Sequence, residues 1–476
     1  MIPATDPRHT YVSEWQQRFQ SILNCCEETL RIDQQRKDAI RAFSELGFPT
    51  VRDEQWRFTN LAGLTRIPFH TAKRPHDQAI PRTPALLSHG LLECPRLVFL
   101  NGYFAPQLST LGALPNAVLL TNFSADSRYS VDSGIAVPHL GRVANYRHHA
   151  LTALNTASWE DAAVLWLPED TAIDQPIHLL YVSVPADTPT VAYPRAMIVA
   201  EAGSRATILE SYASLNGSTH DRPDSDPRPP EGSVRPDAVP GFTNAVTELV
   251  LHSAATLDYC RLQDEADSTF HIGSTHAHLA GDAEFRSCVV SRGCALSRHE
   301  LNVVLDGERS ECSLNGLAIA RGRQLIDHQT LIEHLKPNGT SRELYKTIAA
   351  DKAHAVFNGM IHVDYEAQKT DARQASHTLL LSDDAVVNAQ PHLEIYADDV
   401  KCMHGATVGS LSDEALFYLR TRGIGQDEAR QLLTFAFGNE VVERIPLKDV
   451  RKDVERQLLQ QTRLAHTATV LEAAEP

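Results

Sequence analysis

Cys402 and His404 are the two residues whose types and spacing point most directly to chemistry. They lie in the segment ADDVKCMHGATVG, residues 397–409, which follows a short apolar run. Side chains of a β-strand alternate between its two faces, so these two residues would point to the same side. A thiolate and an imidazole together suit zinc, copper or iron–sulfur chemistry better than magnesium or calcium. Two donors do not fill a four-coordinate site, so the remaining ligands must come from elsewhere.

Two other histidine pairs are weaker candidates. His276 and His278, in the segment HIGSTHAHL, fall on one face of a predicted strand and could form a metal pair. No third ligand is evident near them in the sequence, which favours a solvated polar face instead. The adjacent His148 and His149, in NYRHHAL, give a still weaker signal.

Motifs of several common enzyme classes are missing from the sequence. It contains no G-x-x-x-x-G-K-[ST] loop, no G-x-S-x-G elbow and no H-E-x-x-H helix, so no nucleotide is expected to bind through a P-loop. Asp383 with Asp384, and Asp398 with Asp399, could indicate a β-solenoid enzyme that acts on polysaccharide. Adjacent residues of a strand point to opposite faces, so neither pair converges on one glycosidic bond. We therefore interpret them as exposed acids at strand ends.

The composition is that of an acidic globular protein. The chain has 476 residues, 42% of them hydrophobic, with 44 basic and 60 acidic residues and a net charge of −16. The length predicts two or three sub-structures, and the negative charge argues against nucleic acid as a partner. No apolar run reaches the roughly 18 to 20 residues of a membrane span, and no signal peptide is evident, so we expect a cytoplasmic protein. The eight cysteines include no C-x-x-C pair, and most should be small buried residues.

Helices are predicted at both ends of the chain. Residues 1–85 form a predicted helical domain, with a helical apolar pattern that ends at Gly47 and Pro49. Residues 410–476 form a second predicted helical domain. Its first helix follows Ser410 and Asp413, which have the spacing of a capping box.

The region between them, residues 86–409, must position Cys402 and His404 and has the pattern of β-strands. It begins with two apolar runs around Asn101 and Gly102, which predict a hairpin. From residue 242 onwards, short strand-like runs recur at intervals of roughly 8 to 12 residues, which is typical of a sandwich, a barrel or a β-solenoid. Residues 215–240 are rich in proline and predict an exposed insertion.

Several segments in the right order resemble one family and cover most of the chain. Besides the segment around Cys402 and His404, they are GFPTVRDEQWRFTNLAGL, FTNAVTELVL, IDHQTLIEH, AVFNGMIHVDYEAQKTDARQ and FGNEVVERIP. With these segments the sequence resembles the SufD members of the SufB/SufD family of iron–sulfur cluster assembly scaffolds. The resemblance implies a mainly β fold, with a right-handed parallel β-helix as the core and helical parts at both ends.

The resemblance also implies partners and a site. It implies a heterodimer with SufB along the β-helices, one SufC ATPase held by the C-terminal helices, and a transient iron–sulfur cluster at the interface with SufB. Cys402 and His404 match the family's functional pair, ATP hydrolysis would belong to SufC, and the chain itself would have no catalytic turnover. The sequence departs from the family pattern at Met403, His377 and His392; Met403 should face away from the pair, and the two histidines are not expected to be ligands.

Three hypotheses follow from the sequence. The first is a non-catalytic scaffold subunit that contributes ligands to the shared cluster. The second is a purely structural partner, with every cluster ligand on SufB. The third is a β-helix enzyme acting on polysaccharide, for which no converging carboxylates were found. Whether the chain forms a homodimer without SufB is left open.

Overall fold

The structure is a computed structural model that describes residues 6–19, 27–75, 94–124, 139–215 and 239–461. Nearly all of the predicted proline-rich insertion, and both Cys25 and Cys26, lie outside the described residues. Strands β1–β9 are His70–Thr71, Arg96–Leu100, Tyr103–Phe104, Leu119–Ser124, Asp161–Leu167, Ile177–Ser183, Thr190–Ala192, Arg195–Ala200 and Arg205–Ser214. Strands β10–β21 are Gly241–Leu251, Thr256–Glu265, Phe270–Leu279, Glu284–Gly293, Leu296–Leu305, Glu311–Ala320, Leu325–His334, Thr340–Ala349, His354–Val363, Asp371–Leu380, Val386–Ile395 and Lys401–Ser410.

The strands form a β-solenoid of about eight turns, which confirms the mainly β fold. From β8 onwards each strand pairs in parallel with the strand two positions further along the chain, and so two sheets form. The first sheet ends at β20 and the second at β21. Phe242 lies opposite Phe270, and Asp371 lies opposite Lys401, so one coil takes 28 to 30 residues at these places. This pairing decides between the sandwich, barrel and solenoid that periodicity left open.

Most of the predicted strand-like runs correspond to strands, and their beginnings were predicted too late in several cases. The run at residues 354–363 coincides with β18, whereas the periodic pattern picked out neither β16 nor β17. The hairpin at Asn101 and Gly102 is also confirmed, since β2 and β3 pair antiparallel across it. Both turn residues have positive φ, 50° and 83°, the conformation that a two-residue turn of this kind requires.

The space between the two sheets is the lumen of the solenoid, and it holds the main core. Side chains that point inward from both sheets form one buried apolar cluster along its length. Aromatic rings stack from coil to coil within it; Tyr181 and Tyr212, which lie opposite each other on β6 and β9, have ring centroids 5.1 Å apart. Burial of this apolar surface is the main stabilising contribution to the coils.

The N-terminal helices pack on the outer face of the first sheet. They are α1 (Arg8–Phe19), α2 (Glu27–Leu46), the short α3 (Ala62–Thr65) and α4 (Ala150–Ser158). Phe43 of α2 and Trp159 belong to one buried cluster with Val199 and Phe242 of the sheet. The helix α4 was not predicted; eight of its nine residues are buried, and its polar residues Thr152, Asn155 and Thr156 lie inside the protein instead of facing solvent.

Three helices follow the last strand: α5 (Asp413–Thr421), α6 (Gln426–Val442) and α7 (Lys448–Gln461). The helices α6 and α7 cover the outer face of the second sheet, where their apolar side chains share a buried cluster with those of β9 to β17. Lys346 Nζ donates to the carbonyl oxygen of Phe437 at 3.0 Å and so ties α6 to β17. No residue of α5 is buried.

The predicted capping box at Ser410 and Asp413 is wrong. Ser410 is the last residue of β21, and the N-cap of α5 is Ser412, whose hydroxyl accepts a hydrogen bond from the amide of Ala415 at 3.3 Å. The cap therefore lies two residues later, because the strand continues through Ser410.

Candidate functional site

Cys402 and His404 lie on β21, the last strand of the second sheet, and both point towards the lumen. Their partners in the parallel register are Ala372 and Gln374 of β19, which are buried inside the lumen. Laterally paired residues of a parallel sheet share a face, so the two candidate side chains extend that inner face by one coil. Cys402 is half-buried and packs against the lumen core, whereas His404 is exposed at the open end.

The environment of Cys402 favours the protonated thiol over the thiolate. Burial raises the pKa of the Cys402 thiol above its ordinary value, and nearby Asp371 acts in the same direction. A soft metal ion binds the thiolate, so binding at this position must release a proton. The donor set of one thiolate and one imidazole suits iron–sulfur species, zinc or copper.

No third ligand completes the pair within the described parts of the chain, where no group of three or more His, Cys, Asp or Glu residues could hold a metal ion. Met403 and the two unusual histidines lie on outer faces. Met403 pairs with the exposed Arg373, His377 Nδ1 lies 2.7 Å from the Thr407 hydroxyl, and His392 is exposed on β20. A complete metal site at this place therefore needs donors from outside the described residues.

A polar layer that the sequence analysis missed lies directly beneath the pair. Gln374 is only 3% exposed, and its Nε2 donates to Glu343 Oε2 at 2.6 Å. Burial raises the pKa of Glu343 to about 7. Gly359 of β18 faces this layer from the opposite sheet, and a Cβ atom there would overlap the Gln374 amide.

The other predicted histidine pairs are arranged differently from the expectation. The prediction of a solvated face is wrong for His276, which is buried, with its ring centroid 6.4 Å from that of His149. Burial lowers the pKa of His276 to about 3, and its Nδ1 lies 3.3 Å from Asn302 Nδ2. His278 is half-buried and pairs with Asp306 at 3.1 Å.

The remaining acids and thiols match the interpretations from the sequence. Asp383, Asp384, Asp398 and Asp399 are exposed in turns between strands. Five of the six described cysteines are buried, and none of the six forms a disulfide. The buried ones are Cys94, Cys260, Cys288, Cys294 and Cys312.

The open end of the solenoid is the most apolar part of the described surface. Both β20 and β21 end their sheets, so each has one edge that no described strand covers. Eight of the twelve large hydrophobic side chains that are exposed in the described residues belong to the last coils and α5. They are Tyr365, Val386, Ile395, Tyr396, Met403, Val408, Phe417 and Tyr418. Unpaired strand edges beside exposed apolar side chains are typical of a surface that binds another protein chain.

Comparisons with known proteins identify the family. The model of the SufBD core domain of SUF-system iron–sulfur cluster assembly matches residues 182–437, and the model of the SufBD N-terminal region matches residues 5–179. The chain belongs to the SufBD family. An iron–sulfur cluster assembly protein of this family from Synechocystis is 34% identical over 435 residues, which cover 91% of each chain.

Two proteins named SufD are also similar to it. SufD of Escherichia coli is 29% identical over 445 residues, which cover 93% of this chain and 95% of that relative. SufD of Bacillus subtilis is 28% identical over 310 residues, which cover 64% of this chain and 65% of that relative. This SufBD-family chain is therefore a component of iron–sulfur cluster assembly by the SUF system. No helix within the described residues is long and apolar enough to cross a lipid bilayer.

Proposed function

We propose that this SufBD-family chain is a non-catalytic scaffold subunit that supplies Cys402 and His404 as ligands to a nascent iron–sulfur cluster shared with SufB. The observation that carries the proposal is the placement of one thiol and one imidazole on the inner face of the last coil. The two donors are too few for a complete site, and they sit beside uncovered strand edges. The cluster is the cargo of this assembly and would be released when the two chains separate.

SufB is the proposed partner at this end of the solenoid. The exposed apolar side chains of the last coils would be buried in the heterodimer, and the strand edges would be covered there. The open edge of β21 contains no proline, so every residue of that strand has a backbone N–H group. A partner strand placed at this edge would bring its own side chains next to Cys402 and His404.

SufC is the proposed partner of α5. Phe417 and Tyr418 are 68% and 56% exposed, and no residue of α5 is buried, so the helix offers an apolar surface without a described neighbour to cover it. By contrast, α6 and α7 bury their apolar residues against the second sheet. ATP hydrolysis would take place on SufC.

Anaerobic reconstitution with SufB and SufC tests the scaffold role. We expect Cys402→Ser and His404→Ala to leave the complex assembled and to abolish its content of cluster iron and sulfide. His392→Ala is the matched control, since His392 lies on the same last coil but on the outer face. Full cluster content in the Cys402→Ser, His404→Ala double variant would instead favour a purely structural partner, with every ligand on SufB.

A further inference from the structure

Gln374 has one amide end fixed and the other without a partner. Its Nε2 donates to Glu343 Oε2 at 2.6 Å, which sets the orientation of the amide. Its Oε1 is buried and accepts no hydrogen bond from any described residue. A buried carbonyl oxygen without a donor costs free energy comparable to a lost hydrogen bond, so such an atom in a well-packed lumen calls for an explanation.

The packing around Gln374 leaves the amide little freedom to rotate away. Gly359 faces it across the lumen, and a Cβ atom on Gly359 would overlap Gln374 Nε2 and lie 2.7 Å from Phe357 Cζ. A glycine at this position therefore provides the space that the amide occupies. The Glu343 carboxyl group is likewise buried, so both members of the pair are held in place by their surroundings.

His404 can supply the missing donor from the open side of Gln374. The buried Thr330 hydroxyl, opposite Gly359 in the register, lies instead on the side of Glu343. Gln374 has two lateral neighbours on its own face, Glu343 on the preceding coil and His404 on the following one. Glu343 already accepts from the amide nitrogen. Adjacent strands lie about 4.8 Å apart, so a small rotation of the His404 side chain brings a ring N–H within hydrogen-bond distance. A histidine that binds a metal through one nitrogen usually donates from the other to an oxygen atom.

We propose that Gln374 is the positioning residue of His404: its Oε1 accepts a hydrogen bond from one ring nitrogen and directs the other towards the shared cluster. Glu343 holds the amide in the orientation that presents this oxygen. The inference rests on the proposed function of His404 as a ligand. It adds that Gln374 and Glu343, on the two coils before the last, set the orientation of the His404 ring before any partner binds.

The state of the His404 ring in the full-length chain without metal tests the hydrogen bond. Nuclear magnetic resonance of the chain labelled with ¹⁵N in its histidine rings reports which nitrogen carries the proton, and His404→Ala identifies the signals. We expect one neutral tautomer in the wild type. Gln374→Met should give both tautomers. The ring of His377, which lies on the outer face, should be unchanged in every variant.

Variants of Glu343 test the second half of the inference by rescue. Glu343→Gln still offers an oxygen to the Gln374 amide and should keep the single tautomer. Glu343→Leu offers no oxygen to the Gln374 amide, so the single tautomer of His404 should be lost. An identical tautomer ratio in the wild type and in Gln374→Met, measured where both proteins are folded, would overturn the proposal.

Cluster retention in the complex with SufB and SufC provides the second readout. Loss of an outer partner of a ligating histidine typically weakens metal binding about 10- to 100-fold, so Gln374→Met should release iron to a chelator that much more readily than the wild type does. Failure of the two proposals can be distinguished. If Cys402→Ser and His404→Ala retain full clusters, the ligand role fails while the tautomer result stands. If the tautomers do not change, only the positioning role fails.

Discussion

Replacement of Glu343 by glutamine should remove a pH dependence from the stability of the last coils. Glu343 is buried in the lumen, and burial raises its pKa from 4.5 to about 7. Below pH 4.5 the carboxyl group is protonated in both the folded and the unfolded chain, so it does not lower the free energy of unfolding there. Between pH 4.5 and 7 the unfolded chain loses the proton and the folded chain keeps it. Stability therefore falls as the pH rises through this range.

The size of the effect follows from the difference between the two pKa values. A pKa change of one corresponds to about 1.4 kcal/mol, so the step from 4.5 to about 7 corresponds to about 3 kcal/mol, fully present above pH 7. The titratable groups next to Glu343 do not contribute in this range. Burial raises the pKa of Tyr345 and of Cys312 well above their ordinary values, so both stay uncharged.

Amide hydrogen exchange of β17 and β19 provides the assay, since it reports the opening of these strands rather than of the whole chain. Comparison of Glu343→Gln with the wild type at each pH cancels the intrinsic pH dependence of exchange. We expect similar protection in both proteins near pH 4.5. Well above pH 7 we expect the variant to be more protected by up to about 3 kcal/mol. A difference that stays constant with pH would contradict this expectation, because Glu343 would then have the same pKa in the folded and the unfolded chain.

Two further variants test the packing of the lumen and the exposed helix. Gly359→Ala should destabilise the chain by about 1–3 kcal/mol, because the added methyl group displaces the Gln374 amide. Gly405→Ala is the control, since a Cβ atom there meets nothing within 4 Å. Calorimetric melting of both variants measures the difference in stability, and equal melting temperatures would contradict the prediction. Replacement of both Phe417 and Tyr418 by serine should abolish co-purification with SufC. The melting temperature should not fall, because both side chains are exposed on α5. Retention of SufC would rule out α5 as its docking site.

The sequence predicted the regular parts of this fold and missed features that depend on contacts between distant coils. The turn at Asn101 and Gly102 was predictable because local backbone preferences decide it. Most strands of the solenoid were found from their short apolar runs, although β16 and β17 were not. Their parallel pairing could not be read from periodicity, since a sandwich strand and a solenoid strand share the same pattern.

The polar lumen near the open end explains why Gln374 was missed. On β19 the inward side chains are Ala372, Gln374, Ser376 and Thr378, all small or polar, whereas Ala375 faces the C-terminal helices. A prediction that places the apolar residues of a strand in the core would turn the wrong face of β19 towards the lumen. The proximity of His149 to His276 was also unpredictable, because more than a hundred residues separate them in the chain.

Cys402 and His404 were found by a local rule, since residues two apart on a strand share a face. The structure adds that this face is the lumen and that the coil is the last one. The need for further ligands was predicted from the donor count alone. The layer formed by Glu343 and Gln374 beneath them required the register of three neighbouring strands.

The most direct test of the account is a measurement of whether a nitrogen of His404 ligates the cluster. This chain alone is labelled with ¹⁵N in its histidine rings, assembled with unlabelled SufB and SufC, and loaded anaerobically. Any ¹⁵N signal in electron–nuclear double resonance of the reduced cluster then comes from a histidine of this chain. We predict a ¹⁵N coupling that is lost in His404→Ala and retained in His392→Ala. A cluster that forms with no ¹⁵N coupling, or with a coupling that persists in His404→Ala, would contradict the account.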